Sequence, residues 1–402
     1  MYRINHANIK DWAANYDGPL FDGILCDPPY ELGFMGKSWD SSGIAFDTEM
    51  WADLFKLVKP GGHLLAFSGS RTYHRMAVAI EDAGFEIRDM IEWVYGSGFP
   101  KSLNIGKAVD KIQGNERKDA GLHERQNYKK GGAGFRQLGE DELKTDYRLT
   151  KGNSPYEGYG TALKPAHEPC VLARKPIEGT VANNVLKHGT GGLNIDGTRV
   201  QGLSEKELNW TPQRHNEEKR ADENVYGSGK GFYPKEEMTM FNPTGRFPAN
   251  LIHDGSDEVE AVFPNNNSRF FYTSKASKSE RNAGLEGFDT KQAKGGGGGI
   301  GDYLEDVNSA SGKYGSEKAP AANHHPTVKP LSLTKYLATL IKPPTGGRLL
   351  VPFSGSGSEM IGALQAGWEY VEGVELTEEY IPIAEARIEH WLAQMNKQLE
   401  IL

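Results

Sequence analysis
Asp27-Pro28-Pro29-Tyr30 follows a short apolar run, Phe21-Asp22-Gly23-Ile24-Leu25-Cys26, that reads as a buried strand. Two prolines stiffen the loop. Pro28 keeps a carbonyl but has no N–H, Asp27 supplies a second acceptor, and Tyr30 supplies a flat ring with a polar tip. Two acceptors and a stacking surface can grip a planar group that carries an NH2. A surface turn with a capping Asp is the plainer alternative. A second candidate is Ser354-Gly355-Ser356-Gly357, between the strand-like Arg348-Leu349-Leu350-Val351 and a helical pattern through Met360, Ile361 and Leu364. Glycines there let backbone N–H groups approach a ligand, and the helix start offers further free donors. Glu375 ends the next apolar run 18 residues after Gly357. An acidic group about 20 positions on is where a nucleotide-binding sheet holds ribose hydroxyls. The glycine pattern is only G-x-G, with no Walker lysine, so a simple tight turn is the competing reading.

The elements that must position these groups fall into three stretches. Residues 1–100 alternate apolar strands with amphipathic helices. Phe46, Met50, Trp51, Leu54 and Phe55 recur at helical spacing, with Asp47, Thr48 and Glu49 as a polar start and Lys59-Pro60-Gly61-Gly62 as the expected stop. His63 to Phe67 reads as a strand, Met76 to Ala83 as a helix closed by Gly84, and Phe85 to Tyr95 as one or two strands. Residues 101–324 lose this rhythm; polar stretches separate short apolar pieces such as Glu168-Pro169-Cys170-Val171-Leu172-Ala173, and Gly295 to Gly299 is unbroken glycine. An irregular insertion and a compact second domain are both open there. Residues 325–402 regain the alternation, with a helix from Pro330, strands at 348–351 and 370–375, and a last helix that Thr377 can cap. Neither flank has enough strands for a full sheet, so the expected fold class is α/β: one doubly wound, Rossmann-like sheet with a long irregular insertion.

Composition bounds the function. With 402 residues the chain can bury a sizeable core. No apolar run approaches a membrane span, the first residues lack a secretory pattern, and two cysteines, Cys26 and Cys170, build neither a disulfide framework nor a four-thiolate zinc site. A cytoplasmic setting without membrane contact is expected. Cys26 reads as a small core residue, and His324-His325, without partners at ligand spacing, gives no metal site. Lys+Arg number 46 against 54 Asp+Glu, a net charge of -8 that taken alone disfavours nucleic acid. Residues 101–250, however, carry 24 Lys+Arg against 20 Asp+Glu, which leaves the rest at -12. A relatively basic segment on an acidic body suits phosphate contact, with a solvated face as the bland alternative.

The chain resembles the DNA amino-methyltransferases that modify exocyclic N6-adenine or N4-cytosine amines. Asp27-Pro28-Pro29-Tyr30 is similar to their catalytic D-P-P-Y, Phe353-Ser354-Gly355-Ser356-Gly357 to their F-x-G-x-G cofactor loop, and His325-Pro326-Thr327-Val328-Lys329-Pro330 to the H-P-T-x-K-P segment before that loop. Phe270-Phe271-Tyr272, Lys275 to Lys278 and Glu280-Arg281-Asn282 also resemble a stretch seen upstream of that segment. The order, catalytic motif first, resembles the circularly permuted beta group. The resemblance covers roughly residues 1–100 and 325–402 and is patchier between. It implies S-adenosyl-L-methionine as cofactor, held by Asp27, Thr327, Lys329, Pro330, the loop Phe353 to Gly357, and Glu375. It implies that Asp27 and the Pro28 carbonyl accept from the target amine, that Pro29 shapes the loop and Tyr30 stacks on the base, and that a base flipped from double-stranded DNA enters the pocket. Residues 1–100 would be the catalytic half, 101–324 the target-recognition insertion and 325–402 the cofactor half, and the family admits a homodimer and a cognate restriction endonuclease as partners. The D-P-P-Y form leans to adenine; N4-cytosine is the alternative, while RNA or protein amide substrates would better suit N-P-P-Y. Trp39 and Asp40 can shape the base pocket or simply pack. Val351 stands where the family has an Asp near the cofactor's methionine part, and Ser358 and Glu359 follow the glycines in place of a Thr. Weakened cofactor binding, or a catalytically impaired DNA-binding homologue, is therefore a further reading.

Overall fold
Phe21–Cys26 is strand β2, six consecutive buried residues, and that burial on both faces places it at the centre of a sheet. In the computed structural model the described residues are 1–32, 38–96, 98, 102–122, 148–201, 245–263, 270–290 and 322–401. The Gly295 to Gly299 run and residues 202–244 lie outside them, as does the side chain of Trp39. The strands are β1 (Tyr2–His6), β2, β3 (Val58–Phe67), β4 (Glu86–Val94), β5 (Lys118–Leu122), β6 (Arg148–Lys151), β7 (His167–Arg174), β8 (Leu251–His253), β9 (Phe271–Tyr272), β10 (Arg348–Pro352) and β11 (Tyr370–Glu375). The principal helices are α1 (Ile9–Ala14), α2 (Thr48–Lys56), α3 (Tyr73–Asp82), α4 (Ile105–Gln113), α5 (Val181–His188), α6 (Leu331–Ile341), α7 (Ser358–Gln365) and α8 (Ile381–Ile401).

Nine strands form one sheet in the order β1-β11-β10-β2-β3-β7-β4-β8-β9, while β5 and β6 pair separately. All neighbours in the large sheet run parallel except β7, which is antiparallel to both β3 and β4. The chain is thus α/β with a mostly parallel sheet. Alternating side chains split its core. Leu25, Leu65, Leu349 and Val351 pack under Leu333, Leu337 and Ile361 of α6 and α7. On the other face Ile24, Cys26, Leu64 and Leu350 pack under Met50, Trp51, Leu54, Met76 and Ile80 of α2 and α3. Cys26 is fully buried there.

Several local differences from the sequence reading have physical causes. Lys59-Pro60-Gly61-Gly62 lies within β3 and does not stop α2. Gly61 adopts φ +78° and its N–H bonds the Lys175 carbonyl, so the strand carries its irregular start through contacts outside the regular ladder. α2 does start as expected: the Asp47 carboxylate accepts from the N–H groups of Glu49 and Met50. Thr377 makes no side-chain cap; a short 3-10 turn, Glu378–Tyr380, precedes α8. Residues 1–6, unremarkable as sequence, form β1 because β11 offers them an open edge. Residues 101–324 contribute β7, β8 and β9 to the sheet, so that stretch is not wholly outside it. Its charge excess also narrows. Residues 251–324 carry 8 Lys+Arg against 11 Asp+Glu, which leaves 101–324 at 32 against 31. Among the described residues, no helix is long and apolar enough to cross a membrane.

Candidate active site
β2 and β10 are hydrogen-bonded neighbours, so the loops that leave their carboxyl ends emerge side by side. That is the crevice where open α/β sheets bind ligands. One loop begins with Asp27-Pro28-Pro29-Tyr30 and the other is Phe353 to Gly357. A third segment contributes Lys329, just before α6, whose Nζ lies 2.7 Å from Asp27 Oδ2 and 2.9 Å from the Tyr30 hydroxyl oxygen. The same Nζ lies 3.2 Å from Glu168 Oε2, and the Tyr30 hydroxyl donates to that oxygen at 3.0 Å.

The tetrapeptide is clamped from behind. Thr72 Oγ1 donates to the Tyr30 carbonyl at 2.8 Å. The Glu31 N–H donates to Asp40 Oδ1 at 3.0 Å, and the Glu31 carboxylate accepts from the Gly43 N–H at 2.8 Å. Asp40 thus holds the loop together. Glu31 (φ 55°) and Phe353 (φ 63°) are the non-glycine residues with left-handed backbone among those described. One follows each motif strand, and strain of about 1–3 kcal/mol at such places persists only where surroundings impose it.

Lys329 is aimed by its own segment. The His325 Nδ1 faces the Thr327 carbonyl, Arg281 Nη2 donates to the His325 carbonyl at 3.1 Å, and Glu280 Oε1 accepts from the Leu331 N–H at 3.0 Å. The Glu280-Arg281-Asn282 stretch therefore braces the lysine segment. Thr327 is exposed and contributes its carbonyl, and Pro330 opens α6 as its N-cap. Lys329 itself sits against the Asp27 carboxylate.

The glycine loop is drawn tight by Glu375. Its two carboxylate oxygens accept from the Gly355 N–H at 2.8 Å and the Thr377 N–H at 2.7 Å. Gly355 (φ +49°) could not carry a side chain: a Cβ would lie 2.8 Å from His325 Nε2. Gly357 (φ +81°) caps α7. Arg387, fully buried beneath, donates Nη1 to Ser356 Oγ at 3.0 Å and Ser358 Oγ at 3.3 Å. Ser354 Oγ and Asp27 Oδ1 are buried without a partner. Val351 is fully buried in the core below the loop.

Burial and charge set the protonation states. Burial would push the Lys329 ammonium down, but Asp27 and Glu168 outweigh it and hold it well above its usual range. Burial raises the Asp27 carboxyl; Lys329 pulls it back only in part, since that one cation is shared with Glu168. Burial and the two carboxylates drive the Tyr30 phenol well up. Glu359, buried in the first turn of α7, is pushed to about 7 by burial and by Asp27. Burial depresses the His325 imidazole to about 4, so it is neutral near pH 7; Nδ1 facing a carbonyl carries the proton, and Nε2 is left bare toward Gly355. Asp27 and Glu375 thus set a carboxyl group at each of the two strand ends, with Lys329 held between Asp27 and Glu168.

In the sequence Glu168 reads only as the start of an apolar piece. Its signal was the continuous run after it, which is buried from Pro169 to Arg174 and so marks an interior strand.

Comparison with known proteins adds three findings. A family model described as DNA methylase, of N6/N4 methyltransferase type, matches residues 21–386. The type II methyltransferase M.HindIII of Haemophilus influenzae is 24% identical over 165 residues, which is 40% of this chain and 42% of that protein's length. Among solved structures, an M1.HpyAVI–SAM complex superposes with a TM-score of 0.42 at 16% identity, covering 96% of this chain and 99% of that one. The cytosine-N4-specific PvuII DNA methyltransferase gives 0.43 at 10% identity, over 99% and 93%. The last two are too distant to bear on substrate or mechanism.

Proposed function
Since the chain belongs to the N6/N4 DNA methylase family, we propose that it transfers a methyl group from S-adenosyl-L-methionine to an exocyclic amine of a base flipped out of double-stranded DNA, the N6 amine of adenine. The observation that carries this reading is the meeting of Asp27-Pro28-Pro29-Tyr30 with the Phe353 to Gly357 loop on adjacent strand ends. The residues present fit the cofactor. The cradle at Gly355 is bare of a side chain and walled by His325 Nε2, Ser354 Oγ is a buried polar atom without a partner, and the Asp27 and Glu375 carboxyl groups at the two strand ends suit a sulfonium and ribose hydroxyls. When bound, S-adenosyl-L-methionine supplies an electrophilic methyl on a sulfonium that departs as a neutral thioether.

The chain's own residues do the rest. Asp27 and the Pro28 carbonyl accept hydrogen bonds from the two amine N–H groups, which turns the nitrogen lone pair away from the ring and toward the methyl. The lone pair forms the N–C bond, and the C–S pair stays on sulfur. The methylated nitrogen then carries one proton too many, and the Asp27 carboxylate takes it and passes it to water. Glu375 holds the Gly355 N–H and offers its carboxylate toward ribose hydroxyls. Positioning and fixed electrostatics carry the catalysis, with no covalent enzyme intermediate.

The test has two arms. The chain is incubated with unmethylated DNA and methyl-labelled cofactor, and the digested nucleosides are analysed. N6-methyladenine is expected; N4-methylcytosine alone would move the substrate assignment to cytosine. Asp27→Ala should abolish methylation while calorimetry shows cofactor affinity kept within a few fold, and undiminished turnover would refute the role of Asp27. The reading of an impaired homologue, prompted by Val351, predicts no cofactor binding even at millimolar concentration.

A further inference from the structure
Glu168 lies outside the motifs, yet its carboxylate enters the catalytic pocket. β7 is antiparallel to β3 and β4, so its first residues lie at the carboxyl ends of its neighbours, level with the Asp27 loop. There Glu168 Oε2 accepts from the Tyr30 hydroxyl and pairs with the Lys329 ammonium at 3.2 Å. That ammonium donates to Asp27 Oδ2 and to the Tyr30 hydroxyl oxygen. Asp27 Oδ2 is thus taken up by an ammonium of the chain itself, and Oδ1, buried and without a partner, is the oxygen left for the target amine. Which way Oδ1 is turned therefore depends on what fixes the Lys329 ammonium. Among the described residues Glu168 is the other carboxylate at ion-pair distance from Lys329.

We propose that Glu168 is a positioning residue of the methyl-transfer site: it shares the Lys329 ammonium with Asp27 and holds the Tyr30 hydroxyl, so that Asp27 Oδ1 stays turned to the target amine. This rests on Asp27 and Tyr30 being the amine site. Sharing the ammonium also withholds part of its positive charge from Asp27, the carboxylate that must accept a proton. The groups that face the pair are Tyr30 after β2, Tyr95 after β4, the Cys170 thiol on β7, Lys275 after β9, Lys329 before α6 and Glu359 on α7. Lys275 Nζ lies over the Tyr95 ring at 3.7 Å and feels the Glu168 charge. It balances Glu168 from the far side without contact to Asp27.

Glu168→Gln keeps the shape and an acceptor oxygen but removes the charge; Glu168→Asp keeps the charge. In the full chain, Glu168→Gln should lower kcat on the order of 100-fold with KM for DNA and cofactor kept within about twofold. The acid limb of kcat should also move to lower pH, because Lys329 then serves Asp27 alone and no neighbouring carboxylate raises it. Glu168→Asp should keep the limb where the parent has it. A merely structural Glu168 would change kcat and KM together and leave the limb in place, which would overturn the proposal. A second measurement needs no turnover: carbon-13 titration of the Asp27 carboxyl in the free protein. Its midpoint should fall in Glu168→Gln, and an unmoved midpoint overturns the network even if the parent protein methylates no DNA. Absence of methylation by the parent, with the midpoint shifted, would sink the functional reading and leave the coupling standing.

Discussion
Replacing Lys329 with Met tests the centre of the site most directly. Methionine keeps the length and the apolar stem that runs past Phe67, above whose ring Nζ sits at 4.7 Å, but it removes the charge. The Lys329 side chain is 6% exposed, against 14% for Asp27 and 23% for Glu168. Its loss leaves two carboxylates facing one small space. Breaking a buried pair by removing one partner costs about 3–5 kcal/mol. Because Asp27 and Glu168 retain some contact with water, about 3 kcal/mol is the appropriate end of that range. The cost depends on pH, and its sign follows from Asp27. That carboxyl already lies above its ordinary value, and Lys329 is the chief influence pulling it down. Without the lysine it rises further. A carboxyl raised in the folded state resists ionisation there, so stability falls as pH climbs from the unfolded value of about 3.9 through the folded one, and is level above it. The deficit of Lys329→Met should therefore be largest at neutral pH and shrink on acidification. Urea denaturation of parent and variant between pH 8 and pH 5 measures it. In parallel the acid limb of kcat should move to higher pH, opposite to Glu168→Gln. A deficit equal at both ends of the pH range would show that Asp27 is not the group left unpaired, and the account of the pocket would fail.

Three further outcomes are expected. Glu375→Ala removes two charge-assisted bonds of about 1.5–3 kcal/mol each from the glycine loop; cofactor affinity should fall at least about tenfold by calorimetry, and an unchanged affinity would refute the structural role of Glu375. Gly355→Ala forces a Cβ against His325 Nε2 at a left-handed backbone position; it should weaken cofactor binding and lower the melting temperature together, and an unaffected protein would show the cradle to be loose. Val351→Asp reads from the sequence as restoring a lost ligand and tightening binding. Val351 is fully buried in the core, so the change should instead destabilise by about 1–3 kcal/mol; tighter cofactor binding without loss of stability would reverse that judgement.

Much of the local structure was legible. Phe21 to Cys26, Arg348 to Val351 and Tyr370 to Glu375 are mostly apolar runs bounded by turn residues, and they fall in strands β2, β10 and β11. Helices α2, α3, α6 and α7 carry apolar residues at a spacing that buries one face, or nearly all of it. Less was visible where pairing decides. Tyr2 to His6 is not a distinctive strand by composition and forms one against β11. Lys59 to Gly62 has the composition of a turn and lies in β3. Glu168 begins β7, whose insertion between β3 and β4 is a property of the sheet and not of its own residues.

The sequence by itself determined the α/β alternation, the two strand-end loops and the chemistry each can perform, because those depend on neighbours a few residues apart. Only the tertiary structure decided that Lys329 belongs with Asp27, 302 positions away, that Glu168 shares the same ammonium, and that Val351 is core. The reason is physical. Hydrogen bonding and periodic burial act over one turn or one strand and leave a mark in the local pattern. The state of a buried charge depends on every group within a few ångströms, and those groups are assembled by strand order.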